Sequence, residues 1–164
     1  MFRRKDREAQ ASLWLPTQEL PKTAATSFYQ RLDRALAGSG FGKAVRELCA
    51  PYYEMDGSRG GRPGIDPEVY FKMQMVGFFE GIPSERGIAA RCADSLSIRK
   101  FLHYELNEAT PDHSSLTVIR QRLGSEVYEK AFALVLKALR DHKLLRGRKL
   151  GIDASVMEAN AWMR

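Results

Sequence analysis

The last fifteen residues, LGIDASVMEANAWMR, hold a carboxylate in a setting that could serve phosphoryl-transfer chemistry. Apolar residues on both sides of Asp153 alternate with small or polar ones, and this period of two predicts a strand. Mg²⁺ prefers carboxylate oxygens together with water and phosphate, so an aspartate in mid-strand suits a metal site. Two-metal cleavage of DNA needs several carboxylates, and Asp153 can supply only one of them. An aspartate at the start of a C-terminal helix fits the same residues, and both interpretations stay open.

The composition of the 164-residue chain fits one folded domain, or one domain with a fragment of another. Hydrophobic residues make up 44% of it, which is enough for a packed core and argues against wholesale disorder. The net charge of +6 suits a polyanionic partner, although many other proteins are equally basic. No apolar run approaches the length of a membrane span, and the N-terminus lacks the apolar segment of a signal peptide. We therefore expect no membrane contact.

Two cysteines, Cys49 and Cys92, have no metal or redox motif around them. Both fall on helical apolar patterns, which predicts buried free thiols. Free thiols are typical of a reducing compartment, so the expected location is the cytoplasm. The histidines show no metal-ligand spacing either, and His113 is interpreted as a hydrogen-bonding loop residue.

Apolar residues recur at helical spacing through most of the chain, which predicts a mainly α fold. Residues that commonly cap helices stand before these stretches, namely Thr26, Asp66, Ser84, Ser95 or Ser97, and Ser114. The expected helices run from Thr26 to about Ala37, from Lys43 to Tyr53, from Val69 to Glu80, after Ser84, after Ser95 or Ser97, from Ser115 to Leu123, and from Ser125 to about His142.

The stretch from Val69 to Glu80 is apolar almost all round, which is typical of a helix buried on most sides. It is therefore predicted to be the central helix of the domain, with Phe78 and Phe79 in the core. Phe28 and Phe132 fall on the apolar faces of the first and last predicted helices, and they are expected in the core as well.

Basic side chains fall on the polar faces of several predicted helices and in one glycine-rich loop. Residues 54–64, EMDGSRGGRPG, do not match a phosphate-binding P-loop, so they form either a basic loop beside a phosphate backbone or an exposed linker. The short helices after Ser84 and Ser95 resemble a helix-turn-helix in outline. Outward basic residues would supply salt-dependent contacts to DNA phosphates, although each one alone is more often an ordinary solvated residue. The candidates are Arg59, Arg62, Arg86, Arg91, Arg99, Lys100, Arg120 and Arg122.

The first 23 residues are predicted to form an arm, because Pro16 and Pro21 prevent a continuous helix there. The arm carries three consecutive apolar residues, Leu13, Trp14 and Leu15. These residues are expected either to dock on the domain or to contact a partner, because an exposed cluster of this kind is unusual.

Long stretches of the chain resemble a known family of proteins of mobile DNA. The segments GRPGIDPEVYFKMQMVGFFEGIPSERGIAARCADSLSIRKFL and EATPDHSSLTVIRQRL are similar to the N-terminal helical domain of bacterial insertion-sequence transposases of the DDE class, in the broad group around insertion sequence five. The segment LGIDASVMEANA resembles the first strand of their ribonuclease H-like catalytic domain. The resemblance extends from about Leu13 to Arg164.

The resemblance implies three parts: an N-terminal arm (1–23), a helical DNA-binding domain (24–146) and the truncated start of a ribonuclease H-like domain (147–164). It implies a protein that binds the terminal inverted repeats of its element, and that cuts and rejoins DNA with three acids and a divalent metal such as Mg²⁺. Asp153 matches the first acid, as a catalytic residue and metal ligand, whereas Glu158 does not match the last. DNA is thus the expected partner, and a homo-oligomer is compatible with this function.

With one of three acids, this chain alone is expected not to cleave DNA. Two other functions stay open. One is DNA binding without catalysis, as a remnant or a regulator, and the other is a helical interaction module without a role on DNA.

Overall fold

The computed structural model describes residues 23–54 and 64–144, which form seven α-helices and no strand. The helices are α1 (Ala24–Gly38), α2 (Phe41–Glu54), α3 (Pro67–Glu80), α4 (Glu85–Asp94), α5 (Leu96–Phe101), α6 (His113–Arg122) and α7 (Ser125–Asp141). The mainly α prediction is therefore confirmed for this part of the chain. No helix in it is both long enough and apolar enough to cross a bilayer. The arm, the loop with Arg59 and Arg62, and the segment around Asp153 lie outside the described residues.

Three helices begin at capping residues that the sequence predicted. Asp66, Ser84 and Ser95 each accept a hydrogen bond from a backbone N–H in the first turn of α3, α4 and α5. Each bond gives a partner to an N–H group that the helix itself leaves unpaired. Pro67 occupies the first position of α3, where a missing N–H has no cost.

Two predicted caps are wrong by two or three residues. Thr23, not Thr26, caps α1, and the Thr26 side chain bonds back to Thr23 in a reciprocal capping box. Asp112, not Ser114, caps α6, because its carboxylate accepts from the Ser115 N–H at 2.9 Å and from the Ser114 hydroxyl at 2.7 Å. In both places several residues that can cap a helix lie within a few positions of each other, and local spacing alone does not show which of them is the cap.

The helix α3 lies between α2 and α4 and joins two groups of helices. On one side α1, α2 and α7 pack together, and on the other α4 packs against α5 and α6, while α1 also contacts α5. Val45, Met73 and Cys92 from α2, α3 and α4 are fully buried in one continuous core. At Gly77 an added Cβ would lie 2.5 Å from Ile88 Cδ1, so α3 and α4 approach closely because residue 77 has no side chain.

Four phenylalanines that were expected in the core are exposed. Burial along α3 ends after Gly77, and Phe78 and Phe79 are 73% and 39% exposed. Phe28 on α1 is 37% exposed. Phe132 is 53% exposed because the buried residues of α7 include Ala131, and the next position along a helix lies about 100° away from that face. The apolar pattern was therefore broader than the surface that the described helices cover.

A charged cluster lies inside the domain, around Lys72 of α3. The Lys72 ammonium is 2.9 Å from Asp33 Oδ1 and 3.0 Å from Glu68 Oε1, and it lies 5.1 Å from the centre of the Phe101 ring. His103 Nε2 lies 3.1 Å from the Asp33 carboxylate. Burial alone would raise the pKa of Asp33, but hydrogen bonds with Lys72 and His103 outweigh burial and lower it. The cluster thereby ties α1 and α3 to the end of α5.

The two thiols are free and buried, as predicted. Burial raises the pKa of Cys49 to about 11 and that of Cys92 to about 12. A thiol is reactive mainly as a thiolate, so both cysteines are inert in the folded domain.

Candidate nucleic-acid interface

The connection between α3 and α4 has the length and the glycine of a helix-turn-helix turn. Four residues join the two helices, and the first of them, Gly81, has a φ of 65°, which a glycine adopts without strain. A connection of three or four residues with a glycine is typical of that motif. The sequence had indicated α4 and α5 instead, but these helices are joined by Ser95 alone. By its length, the connection between α3 and α4 fits the turn of that motif better than the one-residue connection between α4 and α5.

The N-terminal end of α4 lies along α6. Glu85 on α4 accepts a hydrogen bond from the Thr117 hydroxyl of α6 at 2.7 Å, and its other oxygen is 3.4 Å from Arg120 Nη1. Arg86 Nη2 lies 3.5 Å from His113 Nε2. Glu85 thus joins the two helices, and Arg86, His113 and Arg120 lie where they meet, with His113 and Arg120 towards opposite ends of α6. We call these three residues the α4–α6 surface.

The α4–α6 surface combines accessible cations with the N-terminal ends of α4 and α6, where Arg86 and His113 lie, whereas Arg120 belongs to the last turn of α6. The Arg120 side chain is 70% exposed and Arg86 is exposed, so both can reach a ligand in solvent. The N-terminal ends of helices carry partial positive charge and favour anions. Asp112 is a negative charge beside His113, and hydrogen bonds from Ser115 and Ser114 lower the pKa of its carboxyl to about 2.

Three other candidate cations have different surroundings. Arg91 pairs with Glu80, which also accepts a hydrogen bond from Tyr29 at 2.8 Å. Arg122 is partly buried, with its guanidinium 5.9 Å from the centre of the Tyr53 ring. Lys100 is exposed on α5. Lys100 is therefore accessible as predicted, whereas the groups around Arg91 and Arg122 restrict what else they can contact.

The expectation that Arg99 points outward is wrong. Arg99 is only 9% exposed, and its guanidinium donates hydrogen bonds to the backbone carbonyls of Ala93, Glu105, Leu106 and Glu108. The chain after α5 folds over this side chain, and its carbonyls take the place of solvent. Helical spacing could not reveal this arrangement, because the acceptors belong to a loop without a recognisable pattern.

A groove of about 650 Å³ lies beside the α4–α6 surface. Arg120 belongs to both, and Glu85 and Phe78 also line the groove. The Nε2 atom of Gln74, another residue that lines it, is buried and has no hydrogen-bond partner. The remaining lining residues are Tyr70, Gly77, Gly81, Ile82, Pro83, Ile88 and Tyr128. The groove is thus bordered by aromatic rings and by hydrogen-bond donors, and it is open to solvent.

The metal ion that the sequence implied has no counterpart among the described residues. Nowhere in residues 23–54 and 64–144 do three or more histidine, cysteine, aspartate or glutamate side chains gather in a way that could hold a metal ion. Asp153, the predicted metal ligand and catalytic acid, lies outside these ranges, as do Arg59 and Arg62.

Sequence reasoning missed the contribution of His113. It was interpreted as a loop residue, but it is the first residue of α6 and lies next to Arg86. It also missed the buried cluster around Lys72, since a lysine within an apolar helix gives no sign of its partners. The partners Asp33 and His103 are 39 and 31 residues away in the sequence, so only the tertiary structure brings them together.

Comparisons with known proteins give one match. Searches of curated proteins and of solved structures find none. A comparison with protein families matches residues 18–122, which include α1 to α6. The family is described as a transposase domain (DUF772). The matched residues form more than half of the chain and include the whole α4–α6 surface. The chain therefore belongs to the transposase domain family DUF772.

Proposed function

We propose that this chain is the N-terminal, DNA-binding part of a DDE transposase of the insertion sequence five-like group, and that it binds the terminal inverted repeats of its element through the α4–α6 surface. The observation that carries this proposal is the position of Arg86 and Arg120, two exposed cations where the N-terminal end of α4 meets α6, within the matched transposase domain. The two buried free thiols favour action in the cytoplasm.

The physical role of the α4–α6 surface would be to hold the phosphate backbone. Each phosphate that a lysine or arginine neutralises releases counterions, which stabilises the complex at low salt. Beyond Arg86, the exposed residues of α4 include Ala90 and Ala93, which recur at helical spacing on one face. Their small side chains would let the helix backbone approach a DNA groove closely. Lys100 on α5 would add a further phosphate contact, whereas Arg99 is used within the domain.

The test is a binding assay with duplexes that carry the DNA ends flanking the gene, against a random duplex of equal length, at several salt concentrations. We expect the double variant Arg86→Ala/Arg120→Ala to bind both duplexes more weakly. The slope of log affinity against log salt should become shallower by about two, because each lost phosphate contact changes it by about one.

The matched control is Arg31→Ala/Arg34→Ala, which removes the same charge from exposed positions on α1. We expect this control to keep the parental salt slope. An equal loss in both double variants would contradict the α4–α6 surface as the binding site. If the affinity of the parent protein is the same for both duplexes and does not change with salt, the DNA proposal is contradicted and an interaction module is favoured.

Asp153 is proposed as the first acid of the catalytic site. A single carboxylate cannot hold two metal ions, so we expect that the 164-residue chain does not nick plasmid DNA with Mg²⁺ or Mn²⁺ present. Nicking that disappears in Asp153→Asn would contradict this expectation. Support for the wider proposal would come from a second Asp and a Glu encoded downstream, in the same or a shifted frame, and their absence would favour a non-catalytic remnant or regulator.

A further inference from the structure

Three exposed aromatic rings form a continuous patch at the end of α3. The ring centres of Phe28 and Phe79 are 5.1 Å apart, and those of Phe78 and Phe79 are 5.5 Å apart. Phe78 is 73% exposed, which makes it the most exposed large apolar residue in the described part of the chain. We call these three residues the aromatic patch.

The aromatic patch requires an explanation, because single exposed apolar residues are common but contiguous ones are not. The helix α3 is apolar on all sides, as expected of a helix with cover along its whole length. The described helices cover it only as far as Gly77. Another segment would therefore gain free energy by burying the rings, at about 25 cal/mol for each Å² of apolar surface removed from water.

We propose that Leu13, Trp14 and Leu15 of the N-terminal arm occupy the aromatic patch. These residues lie outside the described part of the chain, but the point where the arm joins the domain is known. It joins at Thr23, the cap of α1, and Phe28 is only five residues further along the same helix. Five helical residues rise about 7.5 Å, so the patch lies close to the end of the arm.

The arm is long enough to reach all three rings. Eight peptide steps separate Leu15 from Thr23, and in an extended or polyproline conformation they span about 25 Å. Pro16 and Pro21 favour such conformations in this stretch. The reach therefore exceeds the distance along α1 by a wide margin.

The tether favours the arm over a second copy of the chain. A short linker can hold a segment at an effective concentration in the millimolar range near its site, well above ordinary concentrations of a second molecule. Leucine and tryptophan side chains also match the patch in chemistry, since aromatic rings pack well on one another in edge-to-face or offset arrangements. This docking can be tested without DNA.

The experiment uses the fluorescence of Trp14. The chain has two tryptophans, so Trp162→Phe leaves Trp14 as the single emitter. In this background we expect blue-shifted emission and weak quenching by acrylamide. In Phe28→Ser/Phe78→Ser we expect a red shift and a several-fold larger quenching constant, since Trp14 loses its site. Circular dichroism of each variant reports whether the helices remain folded.

Phe132→Ser is the matched control, because Phe132 is also exposed but belongs to α7. It should leave the emission of Trp14 unchanged. Leu13→Ser/Leu15→Ser changes only the arm and should raise the quenching of Trp14 as the double phenylalanine variant does. If the double variant unfolds, Phe78→Ser alone changes the most exposed ring of the patch and should also raise the quenching. Strong quenching of Trp14 in the starting protein would overturn the proposal. So would protection that depends on protein concentration, which would assign the patch to a second copy.

Discussion

Two sets of basic side chains in this domain have opposite surroundings. Lys72 and Arg99 are buried, and carboxylates or backbone carbonyls of the protein surround their charged groups. Arg86 and Arg120 are exposed, and their polar contacts with His113 and Glu85 are long, at 3.5 and 3.4 Å. The first set has exchanged water for protein acceptors, whereas the second keeps most of its hydrogen-bonding capacity for a ligand.

The difference shows that residue type alone does not separate structural from binding cations. Arg99 and Lys100 are neighbours in sequence on one short helix, yet only Arg99 is buried. A buried cation without partners would be costly, so burial and a full set of acceptors occur together. The cations of the α4–α6 surface lack such a set, and this favours a role in binding.

Lys72→Met should give the largest effect. Methionine fills a similar volume but leaves Asp33 and Glu68 without their shared cation, and breaking a buried pair in this way typically costs about 3 kcal/mol. Urea denaturation followed by circular dichroism measures the change in the free energy of unfolding. Lys43→Met is the control, since the Lys43 side chain is 84% exposed, and it should change stability by less than about 0.5 kcal/mol. Equal losses in the two variants would remove the distinction between interior and surface cations.

Arg99→Ala should be the next most damaging substitution. It leaves backbone carbonyls after α5 without their donor, and we expect a loss of about 2 kcal/mol in unfolding free energy. Lys100→Ala, one residue further, should cost less than about 0.5 kcal/mol. Hydrogen exchange would show where the loss is expressed, and we expect faster exchange in residues 102–112. Unchanged exchange in these residues would contradict the inference that Arg99 holds the chain after α5 in place.

The cluster around Lys72 should also have a smaller effect, on the pH dependence of the free energy of unfolding. The pKa of Asp33 is lowered from its ordinary value of 3.8, so its contribution is fully present above that value and is lost as the pH falls through the folded-state pKa. We expect the urea midpoint of the parent to fall from pH 6 to pH 3, and to fall less in Asp33→Asn. If both proteins have the same pH dependence, the cluster around Lys72 does not stabilise the charged form of Asp33.

Arg86→Ala should have the smallest effect on stability, below about 0.5 kcal/mol, because the side chain is exposed and the Arg86–His113 contact is long. Its effect should appear instead in DNA binding, as a salt slope shallower by about one. A large loss of stability would place Arg86 with Lys72 and Arg99 and would weaken the proposed interface.

The fold could be predicted from the sequence where local signals decide it. Asp66 and Pro67 mark the start of α3, and the spacing of Ile88, Ala89 and Cys92 marks the buried face of α4. The site was less predictable, because it depends on which helices meet. That Glu85 would lie against Thr117 and bring Arg86 next to His113 follows from tertiary packing across some thirty residues of chain.

The sequence also could not predict which part of an apolar helix its neighbours bury. An apolar pattern indicates that a helix prefers burial, but not where its neighbours end, and so Phe78 was assigned to the core. The local pattern also could not show that the carbonyls of residues 105–108 would surround Arg99. Both outcomes depend on the path of a neighbouring segment rather than on the residue itself.

The positions of the two thiols provide a natural probe of how the domain opens. Cys49 lies on α2 and Cys92 on α4, so they belong to the helices on either side of α3. Each can react with a disulfide reagent only when its own surroundings open, and each reaction rate therefore measures local opening. Equal rates would mean that both groups of helices open as one cooperative unit, and faster labelling of Cys92 would mean that the helices of the α4–α6 surface separate first.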